Sequence, residues 1–125
     1  MGYLLVFLGG GLGSMLRHGV NQLAAMTVGT RFPFGTLFIN ISGSFVMGLV
    51  AAWFAFRSAG SSQEWRLFLA TGVLGGYTTF STFSLEVALL YERGEMGLAA
   101  LYIVASVILG ISGLFAGTFL VRTFS

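Results

Sequence analysis

Charged side chains are scarce in this sequence, and their scarcity decides which solvent the fold can face. Of the 125 residues, six are arginine and four are glutamate, so 8% of the chain is charged. Soluble domains carry about 25% charged residues. So few charges cannot cover the surface of a soluble domain, and 56% of the residues are hydrophobic. The sequence therefore predicts a membrane protein.

The same composition excludes several functions. The arginines are scattered and form no basic patch, so no nucleic-acid partner is expected. The chain has no cysteine, which excludes disulfides, thiolate metal sites and a cysteine nucleophile. The single histidine, His18, has no metal-ligating company, and no Ser-His-carboxylate set indicates hydrolysis. We therefore do not expect an enzyme.

Four long apolar runs fill the sequence, at residues 1–26, 34–56, 67–90 and 96–121. Each is long enough to cross a bilayer, which takes about 20 apolar residues. None alternates with the period of two of a barrel strand. The first run is interrupted by Arg17, His18, Asn21 and Gln22. The sequence predicts an all-α membrane protein, a single domain over 1–125, with four transmembrane helices at about 2–26, 33–57, 65–91 and 96–122.

The arginines indicate almost nothing about which way the chain faces. With four spans, both termini and the loop at 57–66 lie on one side of the membrane. That side holds Arg57, Arg66 and Arg122, and the other holds Arg31, Arg93 and, if it reaches the helix end, Arg17. The positive-inside rule needs an imbalance between the two sides. Either the orientation is fixed by other means, or the chain inserts both ways and forms an antiparallel homodimer.

Small residues at helical spacing predict close helix contacts. The pairs are Gly9/Gly13, Gly72/Gly76, Gly113/Gly117 and Ser44/Gly48. In lipid, where no hydrophobic force drives helices together, such pairs let backbones approach closely. With 19 glycines in the chain, some pairs arise by chance. We expect most of them to pack helices within one four-helix unit.

The third apolar run carries the most informative pattern. Gly75 and Gly76 lie near its middle, and five of the seven residues at 78–84 are Ser or Thr. Glycines weaken a helix, and hydroxyls can satisfy backbone groups that a break sets free. The pattern predicts a helix broken near mid-membrane, whose freed carbonyls suit a cation and whose half-helix N-terminus attracts an anion. A continuous helix with hydroxyls bonded to its own turns stays open as the alternative.

Neutral donors and two phenylalanines are the candidate functional residues inside the spans. The donors are Asn40, Thr79, Ser81, Tyr102 and Ser106, and the aromatic pair is Phe80 and Phe83. Amide and hydroxyl donors with the positive edges of aromatic rings suit a small anion, without a fixed cation that would trap it. Glu86 either acts inside its span or snorkels or pairs with an arginine near the helix end. These residues alone predict a small-ion channel or transporter.

Several of these residues resemble one known family. Residues 75–84, GGYTTFSTFS, with Glu86 after them, resemble the signature of the small fluoride channels of the Fluc or CrcB family. Gly35-Thr36-Leu37 leading to Asn40, and Gly13 with Leu16-Arg17, are similar to that family too. The resemblance covers essentially the whole chain, in length, number of spans and order of motifs.

The resemblance implies passive fluoride export by a dual-topology homodimer in the inner (plasma) membrane, with two pores that run between the subunits. It implies a structural sodium ion at the dimer centre, held by the backbone carbonyls of Gly75 and Thr78. The pore residues that it implies by position are Asn40, Phe80, Phe83, Tyr102 and Ser106, together with Thr79 and Ser81, and with Thr36 and Arg17 near the vestibule. The expected partners are fluoride, the lipid bilayer and a second, inverted copy of the chain.

Two other classes stay open. A small multidrug-type, proton-coupled cation antiporter is also a tiny four-helix dual-topology dimer. Such an exchanger needs a deep carboxylate, usually in its first helix, and the first apolar run here contains no acid. A non-conducting assembly subunit is the other class, and it would not need a polar break in mid-membrane.

Overall fold

The computed structural model describes residues 1–57 and 63–124, which form helices joined by short turns. The first two helices are α1 (Gly2–Thr27) and α2 (Phe34–Ala52), and a π-helical turn, Trp53–Arg57, continues α2. After them come α3 (Gln63–Arg66), a π-helical stretch (Leu67–Leu74), α4 (Gly75–Tyr77), α5 (Phe80–Glu92) and α6 (Met96–Thr123). We call residues 63–92 the third rod. The all-helical prediction is confirmed for the residues that the structure describes.

Turn residues explain where helices α1 and α5 stop. Gly29 and Gly94, which follow them, have φ angles of +83° and +80°. Glycine adopts this left-handed conformation without strain, which makes it the usual residue after a helix. At the other end of the first turn, Pro33 directly precedes α2. Proline suits a helix start because its missing N–H would have had no helical partner there.

Three stretches of the described chain are long and apolar enough to cross a membrane: Phe34–Ala55, Gln63–Glu92 and Met96–Thr123. Helix α1 has 26 residues, which is also long enough to cross. Helix α1 is not among the three stretches that are apolar enough to cross, and its second half carries Arg17, His18 and Asn21. Three spans are therefore supported by length and composition, and the fourth stays a prediction.

The third rod is broken at Thr78 and Thr79. Both residues are extended, with φ −82° and ψ 157° at Thr78 and φ −153° and ψ 120° at Thr79. Gly75 is helical, with φ −63° and ψ −37°, and Gly76 lies inside α4. The predicted break is present, but the hydroxyl residues after the glycine pair form it, and the glycines themselves continue the helix.

Glycines place α1 directly against the first half of the third rod. A Cβ atom on Gly9 would lie 2.9 Å from the Gly72 Cα atom. A Cβ atom on Gly13 would meet the Val73 carbonyl oxygen and lie 2.7 Å from the Tyr77 nitrogen. No other residue type leaves the backbones this close, because any side chain would have to occupy the space of the neighbouring backbone. These small-residue pairs therefore pack helices within one chain, as the sequence predicts.

Helix α2 packs along α6 in the same way. A Cβ atom on Gly48 would lie 3.0 Å from the Thr118 nitrogen, and one on Gly117 would lie 2.9 Å from the Leu49 nitrogen. Helix α5, after the break, packs against α6, whereas the π-helical stretch and α4 before it pack against α1. The third rod therefore changes partner at its break, and this change opens the space beside Thr78 and Thr79.

Candidate functional site at the helix break

The two threonines hold the backbone on both sides of the break. Thr78 Oγ1 donates a hydrogen bond of 3.0 Å to the Leu74 carbonyl oxygen, one turn back. Thr79 Oγ1 accepts a hydrogen bond of 3.2 Å from the Thr82 nitrogen, which is the arrangement of a helix N-cap and begins α5. The hydroxyls therefore replace helical partners locally, and this is why a run of Ser and Thr can end one helix and start the next.

The Thr79 N–H lies outside both helices, and Asn40 of α2 bonds to the N–H and to the carbonyl of Thr79. The Thr79 nitrogen donates to Asn40 Oδ1 at 2.9 Å, and Asn40 Nδ2 donates to the Thr79 carbonyl oxygen at 3.0 Å. Thr79 is 7% exposed, and an unpaired backbone group inside a membrane costs several kcal/mol. Asn40 therefore holds the break with two hydrogen bonds, which we call the Asn40 clamp. One of the two hydrogens on its Nδ2 remains for another acceptor.

Two residues that the sequence analysis did not select let α2 approach the break. Gly43 is one: a Cβ atom there would meet the Thr78 methyl group and lie 3.2 Å from the Tyr77 ring. Tyr77 is the other, with its hydroxyl 3.0 Å from Ser42 Oγ. Since Ser42 Oγ donates its hydrogen to a carbonyl of its own helix, the Tyr77 hydroxyl is the donor of this pair. Helical spacing could have identified Gly43, because it lies three residues after Asn40 and shares its helix face.

An open groove of about 310 Å³ lies beside the break, between α2, α5 and α6. Six predicted site residues line it: the pore candidates Asn40, Thr79, Phe80, Phe83 and Ser106, and Thr78 of the predicted sodium site. The Phe80 and Phe83 rings lie 5.6 Å apart between centroids, tilted by 46°. Phe80 is 78% exposed, so one wall of the groove is missing in a single chain. We call this space the ion groove.

Ser106 contributes a hydroxyl to the wall of the ion groove from α6. Its Oγ atom is buried and has no hydrogen-bond partner within the described part of the chain. Buried polar groups are almost always bonded. This unpartnered hydroxyl makes Ser106 a candidate donor at the groove wall.

Tyr102 lies behind the ion groove. Its side chain is fully buried, its hydroxyl donates to Glu86 Oε1 at 2.9 Å, and its ring centroid lies 5.0 Å from that of Phe83. Thr36 Oγ1 is buried next to the Tyr102 hydroxyl but outside hydrogen-bonding geometry. Tyr102 therefore packs behind the Phe83 ring. Its hydroxyl is the hydrogen-bond partner of Glu86, whereas the only partner that the sequence suggested for Glu86 was an arginine.

Two further candidates also lie outside the ion groove of the single chain. Ser81 is exposed in the first turn of α5, with its Oγ atom 3.4 Å from Thr79 Oγ1. Arg17 is half-buried on α1, and α1 packs against the first half of the third rod. The structure therefore brings together the residues on α2, the break and α6, and leaves these two apart from them.

Sequence comparison assigns the chain to a family. Residues 4–118 match the family described as "CrcB-like protein, Camphor Resistance (CrcB)". The chain belongs to the CrcB family. It is 66% identical over 122 residues to a protein of Nitrobacter hamburgensis named "Fluoride-specific ion channel FluC 2", with 98% of each chain covered. The same identity and coverage hold for "Fluoride-specific ion channel FluC" of Rhodopseudomonas palustris strain BisB5.

A third relative has the same printed name. "Fluoride-specific ion channel FluC" of Methylobacterium nodulans is 59% identical over 121 residues, which cover 97% of this chain and 96% of that one. The resemblance found from the motifs is thereby confirmed. Together with its three apolar spans, membership of the CrcB family makes this chain a multi-pass membrane protein.

In this CrcB chain the break also frees backbone carbonyls. In a continuous helix the Thr79 N–H would donate to the Gly75 carbonyl, but here it donates to Asn40. Gly75 lies on an exposed side of the rod, where an added Cβ atom would come no closer to a neighbour than 3.7 Å. Residues 1–57 and 63–124 contain no cluster of three His, Asp or Glu that could hold a metal. A cation at this place would therefore depend on backbone oxygens.

Proposed function

We propose that this chain is a fluoride-specific ion channel that lets fluoride leave the cell passively. The observation that carries the proposal is the ion groove, in which two phenylalanines, an unpartnered hydroxyl and an amide meet beside a broken helix. The relatives that are 66% identical over nearly the full chain, and are named fluoride-specific channels, support the choice of ion.

The ion groove offers a small anion the hydrogen-bond donors that it loses with its water. Ser106 Oγ and the second hydrogen on Asn40 Nδ2 are available, and Phe80 and Phe83 add ring edges of weaker positive potential. The described residues that line the groove include no arginine. A fluoride ion is therefore bound at several weak places and not trapped, as conduction requires. Chloride is larger, and we expect width and donor geometry to reject it.

The pore is complete only when a second copy covers the ion groove. The exposed Phe80 ring and the missing wall support this step, because an ion crossing lipid must be surrounded by protein. The near balance of arginines supports an antiparallel pair with four spans per chain in the inner membrane, because no positive-inside bias sets a direction. In the completed pair, Ser81 is a further proposed residue of the path, and Thr36 and Arg17 lie near the vestibules. Tyr102, which is fully buried, acts on the path through the Phe83 ring in front of it.

Insertion in both directions has a direct test. Three lysines added at the N-terminus create the missing charge bias, so most copies should insert in one orientation and fluoride efflux should fall because inverted pairs become rare. Orientation is measured with reporters fused to the C-terminus. Unmodified protein that already inserts in one direction only would contradict the antiparallel pair.

A sodium ion at the centre of the pair is part of the proposal. The donors fit it, because carbonyls at a helix interruption are ligands that suit Na⁺. Two copies would supply about four such oxygens from Gly75 and Thr78. When bound, the ion would offset the carbonyl dipoles that meet between the copies. Fluoride efflux and dimer stability in sodium-free buffer, compared with sodium buffer, test this part separately.

Efflux from liposomes that contain only the purified protein tests the function. We expect fast release of fluoride, no release of chloride above protein-free liposomes, and no uptake of a cationic dye against a proton gradient. Dye uptake without fluoride release would favour the antiporter. A protein that folds and pairs but releases none of the three would favour the non-conducting subunit.

A further inference from the structure

A second open groove lies at one end of the molecule, apart from the ion groove. Its volume is about 520 Å³, and its walls are apolar side chains of α2, the third rod and α6, among them Trp53, Phe54 and Trp65. The spans Phe34–Ala55, Gln63–Glu92 and Met96–Thr123 begin or end close to it. The groove therefore opens at a membrane surface and extends inward from there. We call it the surface groove.

The surface groove and the ion groove are lined by different residues: Asn40, Gly43 and Met47 line the ion groove, whereas Val50 and Phe54 line the surface groove. Val50 follows Gly43 by seven residues, as Phe54 follows Met47, so the two grooves lie on adjoining sides of α2 and the π-helical turn that continues it. Lipid and a second copy of the chain are therefore the two neighbours that can fill the surface groove, and the chemistry of its open end distinguishes them.

Two tryptophans indicate that the surface groove opens at the level of the lipid headgroups. Trp53 is 46% exposed and Trp65 is 60% exposed. Tryptophan concentrates at the level of the lipid headgroups, where its apolar ring and its N–H each find a suitable environment. A molecule that fills the groove therefore needs a polar part beside the tryptophans and an apolar part deeper inside.

An arginine is held at the headgroup end of the surface groove. The Arg66 guanidinium carbon lies 5.6 Å from the centroid of the Phe54 ring, and Phe54 lines the groove. Stacking on an aromatic face orients a guanidinium and leaves its N–H groups for an anion. Glu64, in the same short helix, lines a neighbouring cavity that shares Trp65 with the surface groove. Arg66 therefore places a positive charge beside the headgroup end of the surface groove.

From these contacts we infer that the surface groove binds one anionic phospholipid, with an acyl chain along the apolar wall and the phosphate on Arg66. Basic side chains beside a pocket between membrane helices are the arrangement that recognises acidic headgroups. This site is separate from the proposed fluoride conduction, because none of the described residues that line it lines the ion groove.

Native mass spectrometry of the delipidated, full-length protein with added phosphatidylglycerol or phosphatidylcholine tests the inference, without fluoride. We expect phosphatidylglycerol to be retained more strongly, and Arg66→Gln to reduce its apparent affinity by about fivefold, the usual contribution of one basic residue. Arg31→Gln removes an exposed arginine paired with Glu95, away from the surface groove, and should leave retention unchanged. Equal retention of both lipids, or equal loss in both variants, would overturn the proposal.

A second variant tests the apolar wall without changing charge. Val46→Phe fills part of the surface groove from a half-exposed position, so it should weaken both the acyl-chain contact and the retention of phosphatidylglycerol. Unchanged retention would place the lipid elsewhere. Because the chain has no cysteine, a single Val50→Cys change also tests the competing occupant. An efficient disulfide between copies at that position would show that protein, and not lipid, covers the groove.

Discussion

The two halves of the third rod pack by different rules. Before the break, the π-helical stretch Leu67–Leu74 and α4 meet α1 through glycines, so that backbone lies on backbone. After the break, α5 meets α6 through side chains, with Phe83 against Tyr102, and its first residue, Phe80, is largely exposed. The first half is packed on a neighbour of its own chain, whereas the second half presents an aromatic ring to a neighbour outside it.

Because of this difference, we expect residues before the break to determine stability and exposed residues after it to determine conduction. A side chain at Gly72 or Gly76 in the first half has no free space, because an added Cβ atom would meet the backbone of Gly9 or Gly10. Substitution in the exposed part of the second half changes a surface that the single chain does not need in order to fold. Variants on the two sides of the break should therefore fail in different ways.

The largest effect is expected where backbone meets backbone. In Gly13→Ala the new methyl group meets the Val73 carbonyl and the Tyr77 nitrogen, which should lower the free energy of unfolding by about 1–3 kcal/mol or more. The matched control is Gly11→Ala, where nothing lies within 4 Å of the added atom. Thermal unfolding in detergent measures both. Equal stability of the two variants would contradict the close contact.

Asn40→Asp should come next, because it acts on the break itself. The change removes the hydrogens that Nδ2 donates to the Thr79 carbonyl and adds a negative charge beside the ion groove. We expect fluoride efflux to fall to the level of protein-free liposomes. Because the Thr79 carbonyl loses the hydrogen bond from Asn40, the free energy of unfolding should also fall by about 1–3 kcal/mol. Gln22→Glu makes the same amide-to-carboxylate change at an exposed position on α1, so it is the control and should keep efflux. Normal efflux from Asn40→Asp would remove Asn40 from the mechanism.

The two phenylalanines of the ion groove, exposed Phe80 and partly buried Phe83, should affect conduction more than stability. Phe80→Ile and Phe83→Ile keep an apolar side chain but delete the ring edges, so fluoride efflux should fall severely while the unfolding temperature stays close to that of the original protein. Phe119→Ile changes another exposed ring, on α6 (65% exposed), and should leave efflux intact. Near-normal efflux from a well-folded double variant, Phe80→Ile with Phe83→Ile, would contradict the proposed mechanism.

The smallest effect is expected at the cap of α5. Thr79→Val removes the oxygen that accepts from the Thr82 nitrogen, and loss of such a cap costs about 1 kcal/mol. Hydrogen exchange in the first turn of α5 should accelerate, while exchange in α4 stays as it was. Ser81→Ala, at an exposed neighbouring site, is the control. Acceleration on both sides of the break would show that the two halves are not independent.

Much of the ion groove was predictable because its chemistry is concentrated in one string of residues. The run of Ser, Thr and Phe at 78–84 identified the break and its two phenylalanines. The place of the break was less predictable, since the glycine pair is the weakest helix former in the region but stays helical. The reason is tertiary: Asn40, 39 residues earlier, supplies both partners of the Thr79 peptide.

The hydrogen bond from Tyr102 to Glu86 was not predictable for a related reason. Tyr102 and Ser106 are four residues apart and share a face of α6, so spacing alone treats them alike. The longer side chain reaches past the groove wall to Glu86, whereas Ser106 ends at the wall. The π-helical stretch Leu67–Leu74, which packs against α1, was not indicated by any local sequence pattern either.

The Asn40 clamp has a consequence for how the protein is made. While the third rod enters the membrane, the Thr79 N–H and carbonyl reach Asn40 only after α2 has docked beside them. Until then an open break would leave the Thr79 N–H without a partner in hydrocarbon, at a cost of several kcal/mol. The newly inserted third rod should therefore be a continuous helix. It opens during assembly, when the amide of Asn40 replaces the helical partners of Thr79, so that the ion groove arises with the docking of α2 and does not exist in the isolated segment.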